Sequence, residues 1–116
     1  MKQTDLNALL GEFATYGVPI VYYSYPERMA PELPYAVYYF PNGRPEPADD
    51  TTHARITAIN IELYTREKDI LLEHTVEQIM NRHGLIPVKT ETFLESEHMF
   101  EVLYEMEEIW EESDMA

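Results

Sequence analysis

A chain of 116 residues, 45% hydrophobic and 26% charged, has room for one domain with one core. It contains no cysteine, which excludes disulfides, thiolate zinc sites and cysteine nucleophiles. The formal net charge is −14 and the eight basic residues (Lys2, Arg28, Arg44, Arg55, Arg66, Lys68, Arg82, Lys89) are scattered, which disfavours gripping a nucleic-acid backbone; such an acidic surface would let DNA slide past without sticking. The start, Met1-Lys2-Gln3-Thr4-Asp5, has no signal-peptide run, and no stretch approaches the ~20 apolar residues that cross a bilayer, so an intracellular, soluble protein is expected.

In chain order, Thr4 to Tyr16 reads as a helix. Leu6, Leu9, Leu10 and Phe13 form one apolar stripe, Thr4 can cap the start, and Gly17 before Val18-Pro19 is a stop. Ile20 to Ser24 is β-branched and aromatic and reads as a strand; Pro26, Pro31 and Pro34 then enclose a loop. Tyr35 to Phe40 is a second strand. A mobile loop is expected over about 41–52, opening on a hairpin-type Asn42-Gly43 turn.

A long third strand runs from about His53 to Tyr64, with Ile59, Ile61 and Leu63 alternating against Asn60, Glu62 and Tyr64. Asp69 suits the N-cap of a second helix that puts Leu72, Val76, Ile79 and Met80 on one face and ends at Gly84. Val88 to Leu94 alternates as a strand. From Phe100 to Met106 the even-numbered residues make an apolar face, while Glu-rich composition offers a helix as the rival reading. From about Glu107 the pattern becomes ambiguous and an acidic tail is expected. The whole is a single α+β domain in the order α-β-β-β-α-β-β: a largely antiparallel sheet of about five strands with both helices on one face.

No constellation for catalysis emerges, and neither a cofactor nor a metal is expected. His74 and His83 stand nine residues apart, roughly 180° around a straight helix, so they cannot share a metal. The four glycines make no phosphate loop, and no serine sits in a nucleophile elbow. Glu101, Glu105 and Glu107 alternate along the last strand and so share a face, read as solvated or as a surface turned to repel DNA. The tyrosines carry more information. Tyr22-Tyr23 and Tyr38-Tyr39-Phe40 put large rings on both faces of their strands, and helices can cover only one. Tyr22, Tyr23, Tyr38 and Phe40 are therefore candidate interface residues, as is Trp110, late in the chain with little core left to reach.

Three segments are distinctive: Leu33-Pro34-Tyr35-Ala36-Val37-Tyr38-Tyr39; Ile59-Asn60-Ile61-Glu62-Leu63-Tyr64-Thr65 followed by Lys68-Asp69 and an amphipathic helix; and Glu95-Ser96-Glu97-His98-Met99-Phe100-Glu101-Val102-Leu103-Tyr104-Glu105. Together, from about Ile20 to Glu108, they resemble the small neck proteins of tailed phages and prophages of Gram-positive bacteria. These are head–tail joining, tail-completion or tail-terminator proteins. The resemblance implies an α+β subunit assembling with itself into a ring, typically a hexamer, that stops tail-tube polymerisation and joins tail to head. Its implied partners are the tail-tube protein and a head-side connector, with DNA passing through the lumen unbound. Its implied place is the virion, after assembly in the host cytoplasm, and it carries over no catalytic residue. The rival reading is an acidic adaptor or nucleic-acid-mimicking inhibitor of a host protein.

Overall fold

The computed structural model describes residues 1–25, 29–45 and 54–111. In chain order the elements are α1 (Gln3–Thr15), β1 (Ile20–Tyr22), β2 (Tyr35–Tyr39), β3 (Gly43–Pro45), β4 (Ala54–Thr65), α2 (Ile70–Arg82), β5 (Val88–Leu94) and β6 (Met99–Glu111). The strands form one sheet in the order β1-β2-β4-β6-β5, with β3 also paired to β4. Among the described residues β1 and β2 run parallel and the other pairings are antiparallel. This is the α+β fold expected, with one strand more than the sequence pattern suggested.

Both helices end the same way, and the reason is glycine. At Gly17 (φ 80°) and Gly84 (φ 79°) the backbone enters the left-handed region that a β-carbon disfavours. Gly17 N–H then donates to Ala14 O and Val18 N–H to Phe13 O; Gly84 N–H donates to Asn81 O and Leu85 N–H to Met80 O. Each reversal drops the next side chain, Val18 or Leu85, into the core with no exposure. The starts differ. Asp69 caps α2 as expected, accepting from Leu72 N–H at 3.0 Å. The expected Thr4 cap is replaced: α1 begins at Gln3, and Lys2 N–H donates to Asp5 Oδ2 at 2.9 Å.

Strand β4 and strand β6 form the spine, in continuous register from Ala54 opposite Glu111 to Thr65 opposite Phe100. Alternation sorts their side chains cleanly. Ile59, Ile61 and Leu63 of β4 and Val102, Tyr104 and Met106 of β6 point to one side, where they are buried against Leu6, Leu9 and Phe13 of α1 and Val76, Ile79 and Met80 of α2. Each large apolar side chain fully buried there stabilises the fold by about 1.5–3 kcal/mol. The same pairing settles helix against strand for β6. A twelve-residue partner and a half-buried face outweigh the helix preference of its glutamates.

Two boundaries differ from expectation. Gly43–Pro45, inside the expected loop, adds to β4 beyond the point where β2 stops, because Ala58 N–H can donate to Asn42 O at 2.9 Å and extend the ladder. Residues 46–53 of that loop lie outside the described residues. At the other end β6 does not give way to a tail at Glu107 but stays paired through Glu111. Trp110 accordingly has a core to reach: it is half-buried and packs against the core's edge.

Candidate functional site

Both helices lie on one side of the sheet, and among the described residues no helix covers the other, which strand register defines row by row. One row runs Tyr35–Tyr64–Glu101–Thr92, the next Val37–Glu62–Leu103–Thr90, the third Tyr39–Asn60–Glu105–Val88. Aromatic rings line the β2 side. The Tyr35 ring lies 5.3 Å from both Tyr25, edge to face, and Tyr64, tilted, and Tyr23 meets Tyr39 at 5.8 Å.

At the centre sits Glu62. Tyr39 Oη donates to its Oε2 at 2.7 Å, and Tyr64 Oη donates to its Oε1. Burial, and then the bond to the Glu62 carboxylate, push the Tyr64 hydroxyl far above its ordinary range; Tyr39 is raised chiefly by burial. Both phenols therefore remain donors at neutral pH. Glu101, a diagonal neighbour across the β4–β6 pair, is partly buried, and burial followed by repulsion from Glu62 raises its carboxyl. Glu107 lies on the same side and is bridged by Arg44 at 3.1 Å. Glu101, Glu105 and Glu107 thus share one face as alternation required, but Glu107 is countered by a cation and Glu101 resists ionising.

The sheet's two edges are the second feature. Strand β1 borders one and β5 the other, and β5 pairs only with β6. Both edges carry exposed apolar surface. Tyr22 is 50% and Tyr23 68% exposed on one; Val88 is 67% and Phe93 45% exposed on the other, with Ile86 nearly bare beside them. Of the interface residues expected from sequence, Tyr22, Tyr38 and Phe40 form one ring cluster on the helix side, with centroids 5.3, 5.9 and 6.1 Å apart. Tyr38 and Phe40 are partly buried against the core, Tyr22 stays half exposed, and Tyr23 faces the open side. Trp110 stands apart from these four at the far end of β6.

Sequence reading missed a polar cluster beneath α2. Glu73 is 2% exposed, with Lys68 Nζ 2.7 Å from one carboxylate oxygen and Lys89 Nζ 2.7 Å from the other. Lys89 also meets Glu77 at 2.9 Å, and the fully buried Tyr104 donates to Glu77 at 2.7 Å. Burial pushes the Glu73 carboxyl up, but the two ammonium groups pull it down further, so it ends below its usual range. Glu12 on α1 similarly receives Arg82 at 2.7 Å and sits 3.1 Å from His83 Nε2, tying the helices together. These clusters are braces between elements, with their charges mutually satisfied.

Clefts open on the surface beside the sheet. One, of about 730 Å³, lies at the Tyr35–Thr65–Met99 end of the sheet, and the buried Thr65 hydroxyl has no hydrogen-bond partner among the described residues. Another, of about 580 Å³, lies over Ala58, Asn60 and Glu105. Among the described residues no group of three or more His, Asp or Glu is placed to hold a metal, and no helix is long and apolar enough to cross a membrane. No protein-family model matches the chain, and no curated protein matches it.

Proposed function

We propose that the protein is a ring-forming structural subunit of a tailed-phage neck, closing the end of the tail tube and joining tail to head. The observation that carries this reading is the pair of edge strands on opposite sides of one subunit, each with exposed apolar side chains. An edge strand with free backbone groups is a template for another strand. When two different patches of one subunit meet head to tail, repetition of the contact closes a ring or runs on as a filament. Here the β1 edge of one copy, with Tyr22 and Tyr23, would meet the β5 edge of the next, with Val88 and Phe93. The net charge of −14 suits a lumen through which DNA must pass without adhering. The resemblance of the Leu33–Tyr39, Ile59–Thr65 and Glu95–Glu105 segments to neck proteins supplies the virion setting.

Mass photometry and negative-stain electron microscopy of the protein, alone and mixed with a tail-tube protein from the same genome, test the assembly. Rings are expected in at least the mixture, and Val88→Lys with Phe93→Lys should abolish them while leaving the monomer folded. Deleting the gene from the phage or prophage should yield tails of uncontrolled length that fail to join heads. Normal, joined tails would refute the reading.

A further inference from the structure

We propose that the open sheet face docks a basic protein surface, with an arginine or lysine of that partner entering between Glu62 and Glu101 beside the hydroxyls of Tyr39 and Tyr64. Three observations converge on it. The first is coverage. The face spans five strands at ~4.8 Å spacing and up to about 40 Å along β4 and β6, near the ~800 Å² that each partner buries in a standard interface. It presents Tyr35, Tyr39, Tyr64 and Leu103 partly exposed, a composition typical of an interface centre rather than of solvated surface.

The second is charge. Glu62, Glu101, Glu105 and Glu107 all lie on this face, and Arg44 is the one Lys or Arg among its described strand positions. Arg44 is already committed to Glu107 at 3.1 Å. Two copies meeting face to face would press like charges together, so a second copy is the wrong occupant and a cationic surface the right one. The third is the unmet demand of the centre. Glu62 is held by two phenol donors, neither of which brings charge, and Glu101 has no hydrogen-bond or ion-pair partner among the described residues. A guanidinium there would satisfy both carboxylates and lie against tyrosine faces, gaining charge-assisted hydrogen bonds and cation–π contact.

This inference rests on the assembly reading only in taking the chain to work by docking, and the two can fail separately. Wild-type rings with no cation at this face would leave that reading standing and sink this one. Face-specific binding by a protein that never forms rings would do the reverse.

The experiment uses an acetylated hexa-arginine amide as probe, followed by amide NMR shifts on the full chain at low salt. Shifts should concentrate on β4 and β6 around Glu62, Tyr64, Glu101 and Leu103. The Glu62→Gln/Glu101→Gln variant should bind about tenfold more weakly, the loss of one charge-assisted contact. A charge-matched control, Glu67→Gln/Glu95→Gln, removes two exposed carboxylates elsewhere and should change binding less than about twofold. Equal weakening of the two variants, or shifts scattered over the surface, would overturn the proposal. So would sedimentation showing that self-association alone perturbs the same amides, which would make a second copy the occupant. Should the double variant not fold, Glu101→Gln alone is compared with Glu95→Gln on the same criterion.

Discussion

Glu73, in the first turn of α2, holds the ammonium of Lys89 on β5 at 2.7 Å while its own side chain is almost wholly buried. The contact joins helix to sheet alongside the apolar packing of Val76, Ile79 and Met80. Glu73→Gln keeps the shape but removes the charge facing Lys68 and Lys89. Both lysines are more than a third exposed and can turn to water, so the cost should be about 1–3 kcal/mol rather than the ~3–5 of a fully sealed pair. The sign with pH follows from the lowered carboxyl of Glu73. Its stabilisation is complete above the ordinary glutamate range, about 4.3, and is lost as pH falls through the lower folded value. Urea unfolding at several pH values should therefore show wild type and variant converging on acidification.

The glycines separate into two kinds. Gly84 has φ 79°, and a β-carbon there would meet nothing within 4 Å, so Gly84→Ala costs only backbone strain, about 1 kcal/mol. Gly11 lies within α1 at ordinary helical φ, also with open space around it. Gly11→Ala should stabilise by about 0.5–1 kcal/mol. Thermal melts should thus move in opposite directions by a few degrees. A shared direction would contradict the assigned helix end.

How much of this was legible beforehand depended on whether a feature was local or made by pairing. Asp69, Gly17 and Gly84 act within one turn, so their cap and stop roles could be read from neighbours in the chain. The faces of β4 and β6 followed from period-2 alternation at Ile59–Leu63 and Phe100–Met106. The open face was therefore half visible: alternation puts Asn60, Glu62 and Tyr64 together, and separately Glu101 and Glu105. What sequence could not supply was the register that sets Tyr64 opposite Glu101, because pairing partners are fixed by the whole sheet. The Glu73 brace was hidden for the same reason, since Lys89 is sixteen residues away and reaches it only once β5 lies under α2. Strand β3 escaped notice because Gly43–Pro45 has neither alternation nor β-branched residues.

Trp110 is the protein's single tryptophan, which makes its placement directly measurable. It packs half-buried at the end of the core, and its indole N–H is buried without a hydrogen-bond partner. Emission should be blue-shifted in the folded protein and move red on unfolding. Trp110→Ala should cost about 2 kcal/mol, less than a fully buried aromatic because the ring is only partly covered. Trp110→Phe gives up ring area but also removes the orphaned donor, so the two effects offset and stability should change by less than about 1 kcal/mol. A large loss in the phenylalanine variant would mean the N–H is bonded after all.

Glu101 gives the sharpest contrast with Glu73, because its carboxyl is shifted the other way. Burial and then the nearby Glu62 raise it, so the folded chain holds that proton more tightly than the unfolded one. Stability associated with Glu101 is complete below the ordinary glutamate range and declines as pH rises through the folded value. At neutral pH the ionised side chain is a burden, and Glu101→Gln should stabilise the protein by up to about 1 kcal/mol, the gain vanishing near pH 4. The same substitution should weaken capture of a basic peptide at the open face. A change that strengthens the fold while weakening docking is what a site held ready for a cation produces: the cost of the unpaired carboxylate is carried by the free subunit and relieved by the partner. If Glu101→Gln instead destabilises at pH 7, the carboxylate is serving the fold, and its place in the docking face loses its physical basis.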